Sequence, residues 1–371
     1  MQRPRPSAAI AAILAMLLPM AAGADTFVYV AASKDGVIDS YRMNEETGQL
    51  TAMPKVEIGI GVGPMALHPQ GSHLYAAVRT QPFRVTTFAI APEDGTLTAA
   101  AVAALPENFA YISVDANARM LLGASYGGNK IGVLPVAEGG VVTAGTRQLM
   151  PAGRNAHAVF ADDAGRFAYS TALGTDEVIV YRIEEGDLLT PASSFSTGKG
   201  SGPRHMALSP DGTQIYVLTE LSGEVLRLDL DPETGGMTEA QRISIVPGDA
   251  MLQPGLAPGA EKDDVPRIWA ADLAVTPNGR FIYATERTTS QITLLSVGQE
   301  GELQVAGTYS TERQPRDIAI DPAGRFLVAS GELSDHVGVF SINGESGQLT
   351  DIGRYPVGMG ANWVEIVRLH D

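Results

Sequence analysis

One short pattern returns along this chain, and its spacing limits the folds open to it. The clearest copy is GPRHMALSPDGTQIYVLTE, residues 202–220. It reads as two short strands joined by a tight Pro-Asp-Gly turn. Further copies stand at 63–79, 108–125, 154–173, 268–287 and 313–332. The turn falls at Gly71, Asn117, Gly165, Gly212, Gly279 and Gly324, in steps of 46, 48, 47, 67 and 45 residues. A second ruler is independent of the first. An acidic, Gly-bearing turn followed by an apolar residue recurs at 45–50, 92–97, 184–188, 232–237, 299–303 and 344–349, with a weaker copy at 137–142. Both rulers place one long step in the same interval. An insertion of about 20 residues, rich in Pro and Gly as a long loop should be, is therefore predicted near 247–266.

Each unit of about 45 residues holds roughly four short alternating segments and no helical period. Four antiparallel strands repeated radially make a blade of a β-propeller, so the chain is predicted to be all-β. Six complete hairpins accompany seven outer turns. The ends supply the missing hairpin: TFVYVAAS, 26–33, matches a second strand, and ANWVEIVRL, 361–369, matches a first strand. Pairing the termini would close a seven-bladed ring and remove its sheet edges.

The repeat overrides the two or three domains that 371 residues would suggest. Residues 1–24 are read as an export signal and 25–371 as one propeller domain. Arg3 and Arg5 form a basic start and 8–18 an apolar stretch too short to span a bilayer; Ala22-Gly23-Ala24 offers a cleavage site. A membrane anchor is the less favoured reading of this segment. With no cysteine there is no disulfide or thiolate metal site. The expected location is the periplasm or the exterior of a bacterium. A net charge of −16 argues against nucleic acid or an anionic membrane as partner.

Register then locates a candidate site. Residues equally far before and after a hairpin turn face each other. Eight before the turn stand Phe109, His157, Arg204, Ala271 and Arg316, with Gly63-Pro64 in the shortened first copy. Eight after stand Arg79, Ser125, Leu173, Glu220, Arg287 and Glu332. Both sets belong to one mouth of the central channel, with His205, Asp272 and Asp317 as immediate neighbours. An acidic chain thus gathers four arginines at one rim. Arginine offers a planar donor fork to carboxylate, phosphate or carbonyl oxygens. Propellers also use Arg and Glu as ion pairs between blades, which is the alternative reading of any one of these residues. Convergence of several blades on one cavity favours a site.

Other motifs carry less. GIGVGP at 59–64 has no helix after it, and GKGSGP at 198–203 lacks phosphate-loop spacing. The six histidines form no HxH or HExxH pair, and no EF-hand-like loop stands out. Neither a metal nor a cofactor is expected. Trp269 and Trp363 are read as core or rim packing.

The stretches GPRHMALSPDG (202–212), WAADLAVTPNGRFIYATERT (269–288) and QPRDIAIDPAGRFLVASGELSDHVGVF (314–340) resemble the seven-bladed propeller lactonases, as do VRTQPFRV (78–85) and GRYPVGMGANWV (353–364). Within that family the bacterial propeller-type 6-phosphogluconolactonases look closest, and the fungal carboxy-muconate cyclases are similar. The resemblance spans 26–369. It implies a catalytic set of His157, Arg204, Glu220 and Arg287, four residues that the register also places at or beside the rim; the register adds Arg79, His205, Asp272, Arg316 and Glu332 as expected substrate contacts. The expected activity is hydrolysis of a small sugar lactone such as glucono-1,5-lactone, because sugar phosphates are made in the cytoplasm and this chain reads as exported. The alternatives are a 6-phosphogluconolactonase, a muconolactone-type lyase, or a non-catalytic propeller that binds a ligand or protein at its mouth. Between the two candidate bases, arginines beside Glu220 would depress its pKa, which favours His157.

Overall fold

The computed structural model describes residues 25–261 and 263–369, so the segment read as a signal lies outside the described residues. Seven antiparallel sheets follow one another around a ring. Six are four-stranded blades, spanning 62–104, 109–151, 156–196, 203–244, 270–310 and 315–356. The seventh joins the two ends of the chain. Its innermost strand, Ala361–Leu369, pairs with Asp25–Ala32, which pairs in turn with Val37–Met43. Its outer strand is split into Leu50–Ala52 and Val56–Glu57, with Pro54 in the gap. Proline has no N–H for the ladder, so the pairing breaks there. A single 3₁₀ turn, Leu173–Thr175, is the only helical element among the described residues.

The predicted turns are present, with one shift. Gly71, Gly165, Gly212, Gly279 and Gly324 all have φ between 64° and 71°. In the copy at 108–125 the equivalent residue is Ala118 at φ 52°, not Asn117. An alanine in the left-handed region hid the register there, because glycine marks that position in the other turns. Asp115 holds this turn without the glycine. Its Oδ1 accepts the amides of Arg119 and Met120 at 2.7 and 2.6 Å. Asp321 accepts the amides of Arg325 and Phe326, both at 2.6 Å, in the same way.

The core lies between blades. Seven clusters of buried apolar residues each join two consecutive blades, such as Phe27, Tyr29 and Trp363 with Met65, Leu74 and Phe88. The outer turns lock these interfaces. Tyr29 Oη donates to the carbonyl of Gly95 at 2.7 Å, and Tyr283 Oη to that of Gly347 at 2.7 Å. Gly95 has φ 70°, and a Cβ there would lie 2.3 Å from the Phe27 ring. Both the backbone and the close ring demand glycine. The predicted insertion is also present: among the described residues no strand occurs between Ser244 and Ala270.

Gly95→Ala should therefore cost about 2 kcal/mol or more. Thermal unfolding should show a Tm lowered by about 3 °C or more. A Tm within 1 °C of wild type, on the order of the error of such a measurement, would contradict this account of the blade interface.

Candidate active site

The innermost hairpin of every blade breaks register at the same end. The irregularities fall between Ala31 and Ala32, Val62 and Met65, Ala124 and Ser125, Ala156 and Val159, Pro203 and His205, Ala270 and Leu273, and Pro315 and Asp317. Each is a β-bulge, which adds a residue to the first strand and turns its side chain. In two blades the added residue is Arg204 or Arg316; His157 lies in the wider bulge of another. The partner strands end just before Arg79, Tyr126, Glu220, Arg287 and Glu332. Simple mirror symmetry about the turn, which pairs Arg204 with Glu220, is thus off by one: Pro203 faces Thr219. The two side chains meet even so.

A cavity of about 280 Å³ at this mouth is lined by Arg79, Ala110, Tyr126, His157, Arg204, Glu220, Trp269, Arg287 and Arg316. Six of the nine predicted site residues thus converge with Ala110, Tyr126 and Trp269. Sequence reasoning missed Tyr126 and Ala110 because of the Ala118 turn. It had Ser125 and Phe109 instead, which are fully buried. Glu332 stands behind the rim, where its Oε1 accepts Arg316 Nη1 at 2.9 Å. Leu173 is buried in the blade spanning 156–196.

Glu220 anchors the site. Its Oε2 accepts both Arg204 Nε at 2.9 Å and Arg287 Nη2 at 2.8 Å. Arg204 also donates through Nη1 to the Ala271 carbonyl. Arg287 donates from Nε to Trp269 O and from Nη2 to Ala270 O, each at 3.0 Å, and lies 3.8 Å over the Trp269 ring. Arg79 Nε is held by Asn108 Oδ1 at 2.8 Å. These partners freeze two guanidinium forks. Among the described residues, Nη2 of Arg204 and Nη1 of Arg287 stay uncommitted.

Burial and charge set the protonation states. Burial raises the Glu220 carboxyl, but Arg287 and Arg204 outweigh it and hold the group below the usual range. Burial pushes Arg79 down to about 10 and Arg287 to about 9, with neighbouring arginines adding to the first; both stay cationic at neutral pH. His157 is pushed well below its ordinary value, by burial first and then by Arg204. It is a neutral imidazole, and its buried Nδ1 has no hydrogen-bond partner among the described residues. The site therefore combines a fixed carboxylate, four cations and a neutral base.

His205 and Asp272 are placed elsewhere. They line a second cavity of about 190 Å³ deeper in the channel, with Tyr111, Asp317, Trp363 and Glu365. His205 Nδ1 and Asp272 Oδ1 are 2.6 Å apart. Asp272 Oδ2 accepts the Ile318 amide at 2.9 Å, and Asp317 Oδ2 the Val364 amide at 2.7 Å. Burial, then Arg204, lowers His205 to about 4; burial, then Asp272, raises Asp317; burial raises Glu365 to about 7. Among the described residues only His205, Asp272 and Asp317 have ligand atoms mutually within 4.8 Å, the spacing a cation would need. Short-range motif spacing does not reveal this trio, which comes from three blades.

The comparisons with known proteins agree with the fold. The chain matches the family described as lactonase, 7-bladed beta-propeller, over residues 27–366. It is 37% identical over 344 residues to a 6-phosphogluconolactonase of Serratia proteamaculans, covering 92% of this chain and 98% of that one. A 6-phosphogluconolactonase of Yersinia enterocolitica is 35% identical over 345 residues, covering 92% and 98%. Among solved structures, the periplasmic gluconolactonase of Pseudomonas aeruginosa superposes with a TM-score of 0.79 at 23% identity, covering 94% of this chain and all of that one. A protein from Lactobacillus plantarum gives 0.81 at 20%, covering 93% of this chain and 100% of that one. A ring of seven such blades, an arginine-lined mouth and a family match across the ring place this chain among the seven-bladed β-propeller lactonases, which are lactone-hydrolysing carboxylic-ester hydrolases.

Proposed function

We propose that this chain hydrolyses a non-phosphorylated sugar lactone of the glucono-1,5-lactone type outside the cytoplasm. The observation that carries the reading is the mouth cavity, where two clamped arginines face a neutral, buried imidazole. Four arginines against Glu220 and Glu332 leave two positive charges in excess, suited to an ester that becomes a carboxylate product. The lactone carbonyl oxygen accepts from the free nitrogens of Arg204 and Arg287. His157 takes a proton from a water as that water's oxygen adds to the carbonyl carbon. The oxyanion of the tetrahedral intermediate gains strength from donors already fixed by Glu220, which need no reorganisation. Collapse breaks the bond to the ring oxygen, and that oxygen receives the proton from His157. Water and lactone become a hydroxy acid. Arg79 and Arg316 orient hydroxyls or the new carboxylate. Glu220, spent on two arginines and depressed in pKa, is a poor base.

The export-type segment at 1–24 and the periplasmic gluconolactonase of similar fold support the unphosphorylated substrate and a periplasmic location. The second reading is 6-phosphogluconolactonase, the activity named for the relatives at 37% and 35% identity, with the excess positive charge binding the phosphate. An assay of glucono-1,5-lactone and its 6-phosphate side by side, corrected for spontaneous hydrolysis, separates them. The plain lactone should be turned over at least as well as the phosphate. A strong preference for the phosphate would overturn the first reading in favour of the second.

His157→Gln should lower kcat by roughly 10²–10⁴ and leave the far-UV spectrum unchanged. Activity within a factor of about three of wild type would remove His157 as the base. Glu220→Gln leaves Arg204 and Arg287 side by side without a counter-charge. It should lower both kcat and stability, the latter by about 3 kcal/mol in urea unfolding.

The pH dependence follows from depressed histidines. The acid limb of kcat/KM should fall below pH 6.5, the ordinary value for histidine, because His157 protonates only at lower pH. Stability has the same direction. Below about pH 6.5 the unfolded chain binds protons at His157 and His205 that the folded chain refuses, so stability falls as pH drops. Replacing His157 by Gln should reduce the slope of stability on pH between about 6 and 5 by about one proton. An unchanged slope would show that His157 titrates normally.

A further inference from the structure

The inserted segment between Ser244 and Ala270 builds a cleft of about 530 Å³ beside the arginine-lined cavity. The two share Tyr126, Glu220 and Trp269, so the cleft continues the site outward. Its chemistry is different. Leu221, Leu256, Pro258, Val265, Ile268 and the Trp269 ring supply most of its walls. The two charged side chains on its edge cancel: Arg267 Nε donates to Asp263 Oδ1 at 2.9 Å, and its Nη1 to Pro254 O at 2.8 Å.

The wall is built rather than loose. Gly255 N donates to Leu221 O at 2.7 Å, Gln253 N to Pro266 O at 3.0 Å and Ile268 N to Gln253 O at 2.8 Å. A Cβ on Gly255 would lie 2.8 Å from the Ile268 carbonyl oxygen and from a Leu221 methyl carbon, so the loop sits tightly against the blade spanning 203–244. Trp269 is held from one side by Arg287, yet is 37% exposed. Val265 is 44% exposed. A polar mouth cavity of about 280 Å³ is thus joined to an apolar cleft nearly twice its size. An unsubstituted sugar ring would leave the cleft wet and its apolar walls uncovered.

We propose that this cleft is a subsite for an apolar substituent, an alkyl or aryl group carried by the lactone beside its ring oxygen. The lactone ring then occupies the arginine-lined cavity and the substituent lies under 247–266 against Leu256, Val265 and Trp269. The inference deepens the lactonase reading and rests on it for its turnover arm only. Its chemistry selects the substituent's polarity and size.

The test uses δ-lactones with unbranched side chains, from δ-hexalactone to δ-decalactone, and isothermal titration with the ring-opened 5-hydroxyhexanoate and 5-hydroxydecanoate. In the wild type kcat/KM should rise about fourfold for each added methylene, the transfer value for burying one CH₂. The dissociation constant of 5-hydroxydecanoate should be lower than that of 5-hydroxyhexanoate by a comparable factor per methylene. Leu256→Asp should flatten both series and leave δ-hexalactone turnover unchanged; Val265→Asp repeats the test should the first variant fold poorly. Equal affinity for the two hydroxy acids in the wild type would overturn the subsite even where glucono-1,5-lactone is hydrolysed. Length-dependent binding without turnover of any lactone would uphold the subsite and defeat the hydrolytic reading instead.

Discussion

The pairing of Ala361–Leu369 with Asp25–Ala32 is the interaction on which the remainder of the ring depends. It joins chain ends more than 300 residues apart in sequence. The blade it completes faces two others, and two of the seven apolar clusters use its residues. Without it the ring would expose strand edges at both breaks and strip one face from each of those clusters. The channel would also lose its circular outline. A mouth made of residues from separate blades exists only while all blades keep their places.

Closure explains why the site can be both rigid and highly charged. Arg204 is 1% exposed and Arg287 2%. Burying two guanidinium groups is costly unless partners meet every donor that faces protein. Glu220 lies between them, and the carbonyls of Trp269, Ala270 and Ala271 take further N–H groups. The Ala271 carbonyl is available for this because the bulge interrupts the ladder between Ala270 and Leu273, whereas Trp269 O accepts the Arg287 backbone amide as well as its side chain. The same irregularity therefore supplies both the direction of the side chains and one of the acceptors that hold them. Fixed donors of this kind favour charge that develops during a reaction over charge that is present throughout.

The two cavities of the channel divide the titrating groups. The upper one keeps cations, a carboxylate and a neutral histidine in contact with incoming solute. The lower one collects Asp272, Asp317 and Glu365 around His205, with rings of Tyr111 and Trp363 packed on the imidazole at centroid distances of 5.2 and 5.9 Å. His157 and His205 stand at the boundary, their ring centroids 5.2 Å apart. Acidic and basic groups are thus layered along one axis, and each layer depresses or raises the other's ionisation through a small thickness of protein.

The repeat of about 45 residues determined the blade count, the closure by the termini, the inserted loop and the end of the hairpins at which a site would lie. That much is written in the spacing of turns, because a turn needs particular residues and a blade needs a constant length of chain. It also placed His157, Arg204, Glu220 and Arg287 at one mouth, and Arg79 and Arg316 with them. Tertiary structure decided what periodicity does not encode. A bulge shifts the facing residues by one position, and Ala118 in a glycine's conformation concealed Tyr126. Glu220 chose two arginines from different blades, while Glu332 took Arg316 out of that arrangement. His205 and Asp272 fell below the mouth instead of within it. These outcomes depend on distances between side chains of neighbouring blades. Such distances follow from bulge geometry and packing across the ring, and neither leaves a trace in the order of residues along a single strand.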